Sequence, residues 1–512
     1  MRTSSFLLPL LVSVFVGFVI IAPQLVFIGQ SGADYRGIYM FNTDAELHYL
    51  ARMQAAVKGD GIGNPFVIDG RDDVPSGFFS YSEKILALPA RMLPIDIPTL
   101  NLLYKFLLPA VLAFVMYVLI VALTGGSSWT IVGAVSVVLG VTVFNLGTLL
   151  NVLTGKLVYQ QFLLYSRPVS PILYVIFLFG YLYVLFVKTP SRTRLLLLVL
   201  LYGLSWYLFI YLATFLTALL FSVILWHGMR REKRLVVEYG LVSIVGLITA
   251  IPAILNLHAI TQSPYYYLFV GPIGLEHTHA PYLHIPLLII ALVTGWYSYT
   301  HRSYRHLKET FVLLLTSLIV MNQQVITGLS LHPAHYVTYF CMPVYILVMT
   351  LLLSEWLQPV SLRARRAVQV AIMLYAFVTA VFILYSSYVY WAPKTMLLQR
   401  DAAPMVWLSE HTPPESVVMA NPTLSLLIPV YTSDNVMWET HANTYLMPQT
   451  RWDFTPENAL ASKDFCTFIK QYQMDYVVWD WRMDPDWSLK KRLCLQLIGD
   501  VKGGFFFYKV LR

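Results

Sequence analysis

Long apolar runs separated by short polar loops fill most of the chain. Eleven runs lie near residues 6–28, 101–123, 128–150, 171–187, 194–208, 212–227, 236–257, 285–300, 309–327, 336–357 and 367–391. A transmembrane helix needs roughly 20 apolar residues, and most of these runs approach that length. The pattern predicts an α-helical polytopic membrane protein with about 11 transmembrane helices. The stretch 193–229 allows two interpretations. It either forms two short spans that turn around SWYLFIY, as counted here, or one bent span, which would reverse the membrane orientation of every later span.

Lysines and arginines concentrate in four loops, at 188–194, 230–234, 302–308 and 363–366, all on the side of Arg2 in this topology. By the positive-inside rule, that side is cytoplasmic. The segments 29–100 and 392–512 then face outward. We therefore predict a multi-pass protein of the plasma (inner) membrane, with a transmembrane domain over 1–391 and an extracytoplasmic domain over 392–512.

The composition agrees with a membrane protein. Hydrophobic residues make up 57 % and charged residues 12 % of the chain, whereas a soluble domain carries about 25 % charged residues. The net charge of +8 comes from loop cations, so it indicates orientation in the membrane and sets nucleic-acid binding aside. The segment 392–512 mixes strand-like and helical stretches, which predicts a small α/β domain. Its Cys466 and Cys494 could pair in an oxidising compartment, and the sequence leaves that open.

The first outward segment begins with the acidic stretch NTDAELHYL, residues 42–50. Thr43 and Glu46 fit a capping box, and apolar residues recur at helical spacing after them, which predicts an amphipathic juxtamembrane helix on the membrane surface. A second such unit follows at Ser80. If Glu46 caps the helix, Asp44 is left free at the positive end of the helix dipole, where it could act as a general base or metal ligand. The alternative is that Asp44 only complements the dipole.

This layout resembles the GT-C superfamily of polytopic membrane glycosyltransferases. The shared features are an acidic pair at the start of a juxtamembrane helix after the first span, the broken pair of spans near 193–227, an outward C-terminal domain, and the stretch WLSEHTPPESVVMANP at 407–422. The resemblance implies inverting transfer of a sugar from a polyprenyl-phosphate donor to a glycan, lipid or protein acceptor on the outer face. It implies Asp44 as the catalytic base, with Glu46 as its catalytic neighbour. The second acid that this family often has in the next outer loop is missing from 151–171, so the need for a divalent metal stays open.

A phosphate leaving group needs cations close to it. Arg167 is the first candidate, because a guanidinium binds phosphate in a bidentate manner; the alternative is an arginine that snorkels to the interface. Lys156 and Lys105 are weaker candidates. Arg167 and, with less weight, Lys156 are predicted to contact the substrate, whereas Lys105 is expected to be an interface lysine.

Histidines supply further candidate contacts. His332 and His335 follow the polar residues 322–324 of a span, which either bond neighbouring helices or line a cavity. We predict that His335 contacts phosphate or acceptor. His277 and His279, next to Glu276, are candidates for substrate or metal binding.

Two other function classes are considered. A transporter or flippase of a lipid-linked substrate usually carries ionisable groups near the midplane and shows repeated halves, and this sequence shows neither. A non-catalytic membrane assembly protein would use Asp44 only as a helix cap, and its function would then tolerate the loss of that carboxylate.

Overall fold

The computed structural model describes residues 7–41, 44–59, 64–66, 81–140, 146–263, 266, 270, 275–301, 304–439, 455–462, 464–487, 489–501 and 503–511. Of Asp44, Ala45 and Leu146, only the backbone is described.

The chain divides into two compact units. Unit 1 comprises Met1–Pro23, Leu103–Ala253 and Gly274–Tyr390. Unit 2 comprises Gln24–Leu102, Ile254–Ile273 and Trp391–Arg512. The last boundary lies one residue before the predicted domain boundary. Residues 24–102, which follow the first span, belong to the same unit as the C-terminal segment.

Helices make up most of the described chain. The longer helices are α1 (Leu7–Ser31), α2 (Asp44–Lys58), α3 (Tyr81–Met92), α4 (Ile97–Thr124), α5 (Trp129–Leu139), α6 (Leu146–Thr154), α7 (Leu173–Phe186), α8 (Arg192–Leu208), α9 (Ile210–Met229), α10 (Lys233–Thr249), α11 (Ile251–Thr261), α12 (Ile285–Thr300), α13 (Leu307–Asn322), α14 (Met342–Trp356), α15 (Leu362–Leu398), α16 (Ala402–His411), α17 (Pro422–Tyr431), α18 (Pro456–Ala461) and α19 (Phe465–Gln471). Short helical turns occupy Gly32–Asp34, Leu164–Ser166, Pro168–Ile172, Gln324–Thr327, Pro333–His335, Tyr336–Cys341, Gln399–Asp401, Pro485–Trp487 and Leu489–Lys491.

Seven helices of the described chain are long and apolar enough to cross a membrane, and an eighth crossing results if the bent pair α10–α11 is one span. The predicted runs 128–150, 194–208 and 285–300 coincide with the shorter helices α5, α8 and α12. Every predicted run thus contains a helix. The exposed residues Val237, Leu241, Ile244 and Ile248 line one face of α10, as a lipid-facing stripe would. The protein is a multi-pass helical membrane protein.

The stretch 193–229 forms two helices, not one bent span. Phe209 lies between α8 and α9 with an extended backbone, at φ −164° and ψ 125°. The helices fold back on each other, since the hydroxyls of Tyr202 and Thr217 are hydrogen-bonded at 2.8 Å. Helix α10 packs closely on α8, because a Cβ at Gly246 would lie 2.3 Å from the Tyr202 ring. The turn around SWYLFIY is therefore confirmed as a helical hairpin.

In unit 1, α9 packs against α13, and α5 packs against α14. Two short strands, β1 (Glu276–His277) and β2 (Leu329–Ser330), pair antiparallel. They join the segment before α12 to the segment after α13.

The predicted α/β region in unit 2 contains a five-stranded sheet. Its strands are β3 (Val417–Met419), β4 (Asn435–Val436), β5 (Tyr476–Asp480), β6 (Leu495–Val501) and β7 (Phe505–Val510), in the spatial order β4-β3-β5-β7-β6. Strand β3 is parallel to β4 and β5, while β7 is antiparallel to β5 and β6. Cys466 and Cys494 form a disulfide against a core that includes Phe465 and Trp487.

The apolar face of α2 differs from its predicted environment. Leu47, Leu50 and Met53 are buried, with α3 and α17 packed against the helix. Protein therefore covers the face that we expected on the membrane surface, because the C-terminal segment supplies α17. Helix α3 does expose an apolar stripe, which consists of Tyr81, Ile85, Leu88 and Met92.

Candidate functional site

Three apolar spans of unit 1 begin next to the same group of polar side chains. The spans are Pro168–Phe186, Ile210–Met229 and Pro333–Trp356, and Arg167, Tyr211 and His335 lie within three residues of their starts. A helix N-terminus carries a partial positive charge and free backbone amides. The ends at Ile210 and Pro333 have this helical geometry, whereas Ser170 within Pro168–Ile172 is extended, at φ −136° and ψ 123°. Two helix starts beside an arginine favour a negatively charged ligand.

Arg167 is fixed in this group by an aromatic residue. Its guanidinium donates a hydrogen bond to the hydroxyl of Tyr339 at 3.1 Å. The Tyr339 ring stacks on His335, with ring centroids 5.0 Å apart, and His335 lies 5.0 Å from His332. The structure thus brings together the predicted residues Arg167, His332 and His335, with Tyr339 between the arginine and His335. We call these four residues the Arg167 cluster.

The break between α8 and α9 supplies one wall of the Arg167 cluster. Phe209, the residue at the break, stacks on Tyr174 at 4.3 Å and lies 6.3 Å from Tyr339. Tyr211, two residues further, meets His335 edge to face at 5.0 Å. Sequence reasoning missed these aromatic residues, because a membrane protein has many tyrosines and phenylalanines at its interfaces.

Several buried polar atoms near the Arg167 cluster have no hydrogen-bond partner among the described residues. They are Nδ1 of His335 and the hydroxyls of Tyr165 and Ser170. Buried polar groups are normally satisfied, and each exception implies a water, ion or ligand. Tyr165 and Ser170 lie within three residues of Arg167 on one irregular segment. This segment can therefore offer a ligand both hydrogen bonds, from Tyr165 and Ser170, and the positive charge of Arg167.

Lys105 is the second cation of this region. It is buried in α4, and its Nζ donates to the backbone carbonyl of Ser166, the residue before Arg167, at 3.2 Å. From the sequence we gave Lys105 little weight, since a lysine near the end of a span usually snorkels outward. Its burial shows that it instead supports the segment that carries Arg167.

In unit 2, α2 begins at Asp44, but the side chain of this predicted base lies outside the described residues. Glu46 is only 2 % exposed and accepts a hydrogen bond from Asn101 at 2.8 Å. Asn101 also donates to the hydroxyl of Tyr39 at 2.6 Å. Burial first, and then the Glu46 carboxylate, raise the pKa of the Tyr39 phenol. The side chain of Glu46 is therefore buried and bonded to Asn101, a contact that its spacing from Thr43 did not predict.

The remaining predicted contact residues are exposed, and none forms a hydrogen bond with the Arg167 cluster within the described residues. Lys156 is exposed after the end of α6. His277 is exposed in β1, and His279 bonds to the carbonyl of Val325 at 3.1 Å. Among the described residues, no group of three or more His, Cys, Asp or Glu side chains is placed to hold a metal ion.

The polar residues 322–324 bond to loops. Asn322 donates to the carbonyl of Tyr282 at 3.2 Å, and Gln323 donates to that of Leu329 at 2.7 Å. Gln324 bonds to Ala280 at 3.1 Å. These bonds go to loop residues, whereas we expected bonds to neighbouring helices or a cavity lining.

No protein-family model and no curated protein sequence matches the chain. Among solved structures, ArnT from Cupriavidus metallidurans bound to undecaprenyl phosphate is similar over 99 % of this chain and 98 % of that chain, with a TM-score of 0.56 and 12 % identity. The apo state of ArnT covers 95 % and 97 %, with a TM-score of 0.50 and 11 % identity. An Archaeoglobus fulgidus oligosaccharyltransferase tethered to an acceptor peptide covers 96 % of this chain and 74 % of that chain, at a TM-score of 0.44 and 12 % identity. The likeness to ArnT shows that this chain has the GT-C fold.

Proposed function

We propose that this protein is an inverting glycosyltransferase that moves a sugar from a polyprenyl-phosphate donor to an acceptor on the outer face of the membrane. Its GT-C fold supports the reaction class, and the ArnT structure similar to it holds undecaprenyl phosphate. At 12 % identity the likeness carries the fold alone. The specific argument therefore comes from this chain's own residues.

The Arg167 cluster is the observation that carries the proposal. A polyprenyl phosphate combines a long apolar chain with an anionic head at the membrane interface. The cluster offers a guanidinium, the helix starts at Ile210 and Pro333, and the buried Nδ1 of His335. Arg167 is half-buried and bonded to Tyr339, which favours a binding role over free snorkelling.

The basic loops support placing the Arg167 cluster on the outer side. Each of the three spans that begin at the cluster ends before an Arg- or Lys-containing loop, at 188–194, 230–234 and 363–366. Such loops are cytoplasmic, so the starts of these spans face outward. The disulfide between Cys466 and Cys494 agrees with an oxidising compartment around the C-terminal segment.

In the proposed reaction, Asp44 accepts the proton of an acceptor hydroxyl as the new bond forms between that oxygen and the anomeric carbon. The bond from the anomeric carbon to the phosphate oxygen breaks, and its electron pair leaves with the polyprenyl phosphate. Arg167 stabilises the charge that develops on this phosphate, which is the main way a protein accelerates such a step. His335 and, at the exposed edge, His332 add hydrogen bonds. Lys156, His277 and His279 are secondary candidates for substrate contact.

The test is binding of undecaprenyl phosphate to the full-length protein in nanodiscs. Loss of a charge-assisted hydrogen bond costs about 1.5–3 kcal/mol, so Arg167→Ala should weaken Kd about tenfold or more. The matched control is Arg234→Ala, since Arg234 is exposed and pairs only with Glu238 among the described residues. Equal Kd values for Arg167→Ala and the wild type would remove the cluster from the donor site.

A further inference from the structure

Unit 2 contains a cavity of about 410 Å³ at the C-terminal half of α2. Gln54 and Val57 of α2 form one side, the start of α4 with Asp96 and Pro98 forms another, and Tyr431 at the end of α17 closes it. This volume falls within the range of roughly 300–1,000 Å³ that small-molecule sites occupy. The cavity is large enough for a small polar ligand.

Three polar side chains of the cavity have hydrogen-bonding capacity to spare. Among the described residues, Gln54 makes one long bond, to the carbonyl of Thr432 at 3.5 Å. Within the same residues, Tyr431 donates only to the carbonyl of Gly37, at 3.5 Å. Asp96 accepts bonds from the backbone and hydroxyl of Thr99, and each of its oxygens keeps a further lone pair. Both bonds of Gln54 and Tyr431 are at the outer limit of length, so a ligand hydroxyl can replace them at low cost.

The charge of the lining indicates what class of ligand fits. Among the described residues that line the cavity, Asp96 alone carries a charge, and no lining side chain is basic. A phosphate or carboxylate would therefore meet repulsion without a compensating cation. Burial, and then Tyr35, Asp96 and Glu46, raise the pKa of Tyr431, so its phenol stays protonated and can donate. The cavity suits a neutral molecule rich in hydroxyls.

The apolar part of the lining narrows this class further. Val57, Ile97, Pro98 and Val430 also line the cavity. A sugar ring presents C–H groups on its faces and hydroxyls at its rim, and this combination matches a lining that contains both apolar and polar groups. A purely apolar lipid chain would cover the spare donors and acceptors of Gln54 and Asp96 without hydrogen bonding to them, which is costly.

We infer that this cavity binds a neutral sugar ring of a glycan acceptor. The inference rests on the proposed glycosyltransferase function, and it assigns the acceptor to the glycan class. Helix α2 carries the cavity at Gln54 and the proposed base at its first residue, Asp44, ten residues earlier and about 15 Å away along the helix axis. A glycan of several sugar units is long enough to span this distance and to present a more distant hydroxyl at Asp44.

Saturation-transfer NMR on the full-length protein in nanodiscs tests the inference. The probes are the methyl glycosides of glucose, galactose and mannose at millimolar concentration. We expect transfer to the ring protons of at least one glycoside with the wild type, and a loss of at least tenfold in signal with Gln54→Leu and with Asp96→Asn. Asparagine also caps helices well, so Asp96→Asn keeps the start of α4. Tyr431→Phe is a second, minimal variant that keeps the ring and removes only the hydroxyl.

The control is Asp486→Asn, which removes an exposed carboxylate elsewhere in unit 2 and should leave the signal unchanged. Absence of transfer with the wild type, or undiminished transfer with all three cavity variants, overturns the sugar site. Binding of undecaprenyl phosphate is measured in the same samples. If the wild type binds undecaprenyl phosphate but no glycoside, this inference alone is refuted. If the wild type does not bind undecaprenyl phosphate, the proposed function is refuted.

Discussion

The guanidinium of Arg167 donates a hydrogen bond to the hydroxyl of Tyr339 at 3.1 Å. The ring of Tyr339 also stacks on His335 at 5.0 Å. One side chain therefore positions the cation and the histidine that we propose as the phosphate site. The hydroxyl contributes a hydrogen bond to Arg167, and the ring contributes the stacking on His335 and a cation–π contact with the guanidinium at 6.0 Å.

Tyr339→Phe should weaken the binding of undecaprenyl phosphate about three- to tenfold. The variant removes one hydrogen bond, worth roughly 1 kcal/mol, while it keeps the stacked ring. Kd measurements in nanodiscs give the effect, with Tyr385→Phe as the control, since Tyr385 is 57 % exposed. A larger loss for Tyr339→Phe than for Arg167→Ala would contradict a positioning role.

Asp44→Asn should abolish sugar transfer while it leaves folding and undecaprenyl-phosphate binding intact. Asparagine serves as well as aspartate at a helix start, so only the ability to take up a proton is lost. Transfer is measured with radiolabelled donor in membranes, and folding by size exclusion and thermal unfolding. Asp34→Asn removes another acid of the same segment and should keep activity. Full activity of Asp44→Asn would favour a non-catalytic role.

Glu46→Gln should lower the stability of unit 2 by about 1 kcal/mol, since the bond from Asn101 changes from a charged to a neutral acceptor. Asn101→Ala should cost more, roughly 1–3 kcal/mol, because it leaves a buried carboxylate with one donor fewer. Thermal unfolding of both variants in detergent checks this order. If Glu46→Gln instead abolished transfer at unchanged melting temperature, Glu46 would be a catalytic residue.

The order of the spans was predictable because apolar runs and basic loops are local signals. Arg167, His332 and His335 were also found, since a cation and histidines next to apolar spans stand out. The aromatic residues beside them did not stand out, because Tyr211 and Tyr339 look like any interfacial tyrosine. The hairpin at Phe209 places Tyr211 against His335, and the span Pro333–Trp356 carries Tyr339 to the arginine.

The surroundings of α2 depended on distant parts of the chain. Glu46 bonds to Asn101, 55 residues away, and the helix that carries Leu50 packs against α17, which lies about 370 residues later. Local spacing predicted a cap and a membrane-facing stripe for these two residues. Tertiary contacts of this range leave no trace in the spacing of a single sequence.

Opening the Cys466–Cys494 disulfide should destabilise the C-terminal segment by about 2–4 kcal/mol. Cys466→Ser combined with Cys494→Ser should lower the temperature at which this segment becomes protease-sensitive.

Whole cells treated with a membrane-impermeant reductant and then a membrane-impermeant maleimide test the orientation. Labelling of the wild type without lysis is expected, and labelling only after lysis would place the segment in the cytoplasm.

The stability of unit 2 should depend on pH through Asp434. This carboxyl is 1 % exposed and accepts a hydrogen bond from Thr412 at 2.7 Å, but burial dominates and raises its pKa to about 6. The unfolded value is about 3.9, so the folded state binds the proton more tightly, and this group's contribution to stability is lost as pH rises through about 6. Asp434→Asn, which mimics the protonated form, should therefore melt at a higher temperature than the wild type at pH 7.5 and at a similar temperature near pH 4.5. Asp486→Asn, at an exposed position, should not show this trend, and a pH-independent difference for Asp434→Asn would mean that its charge is not the cause.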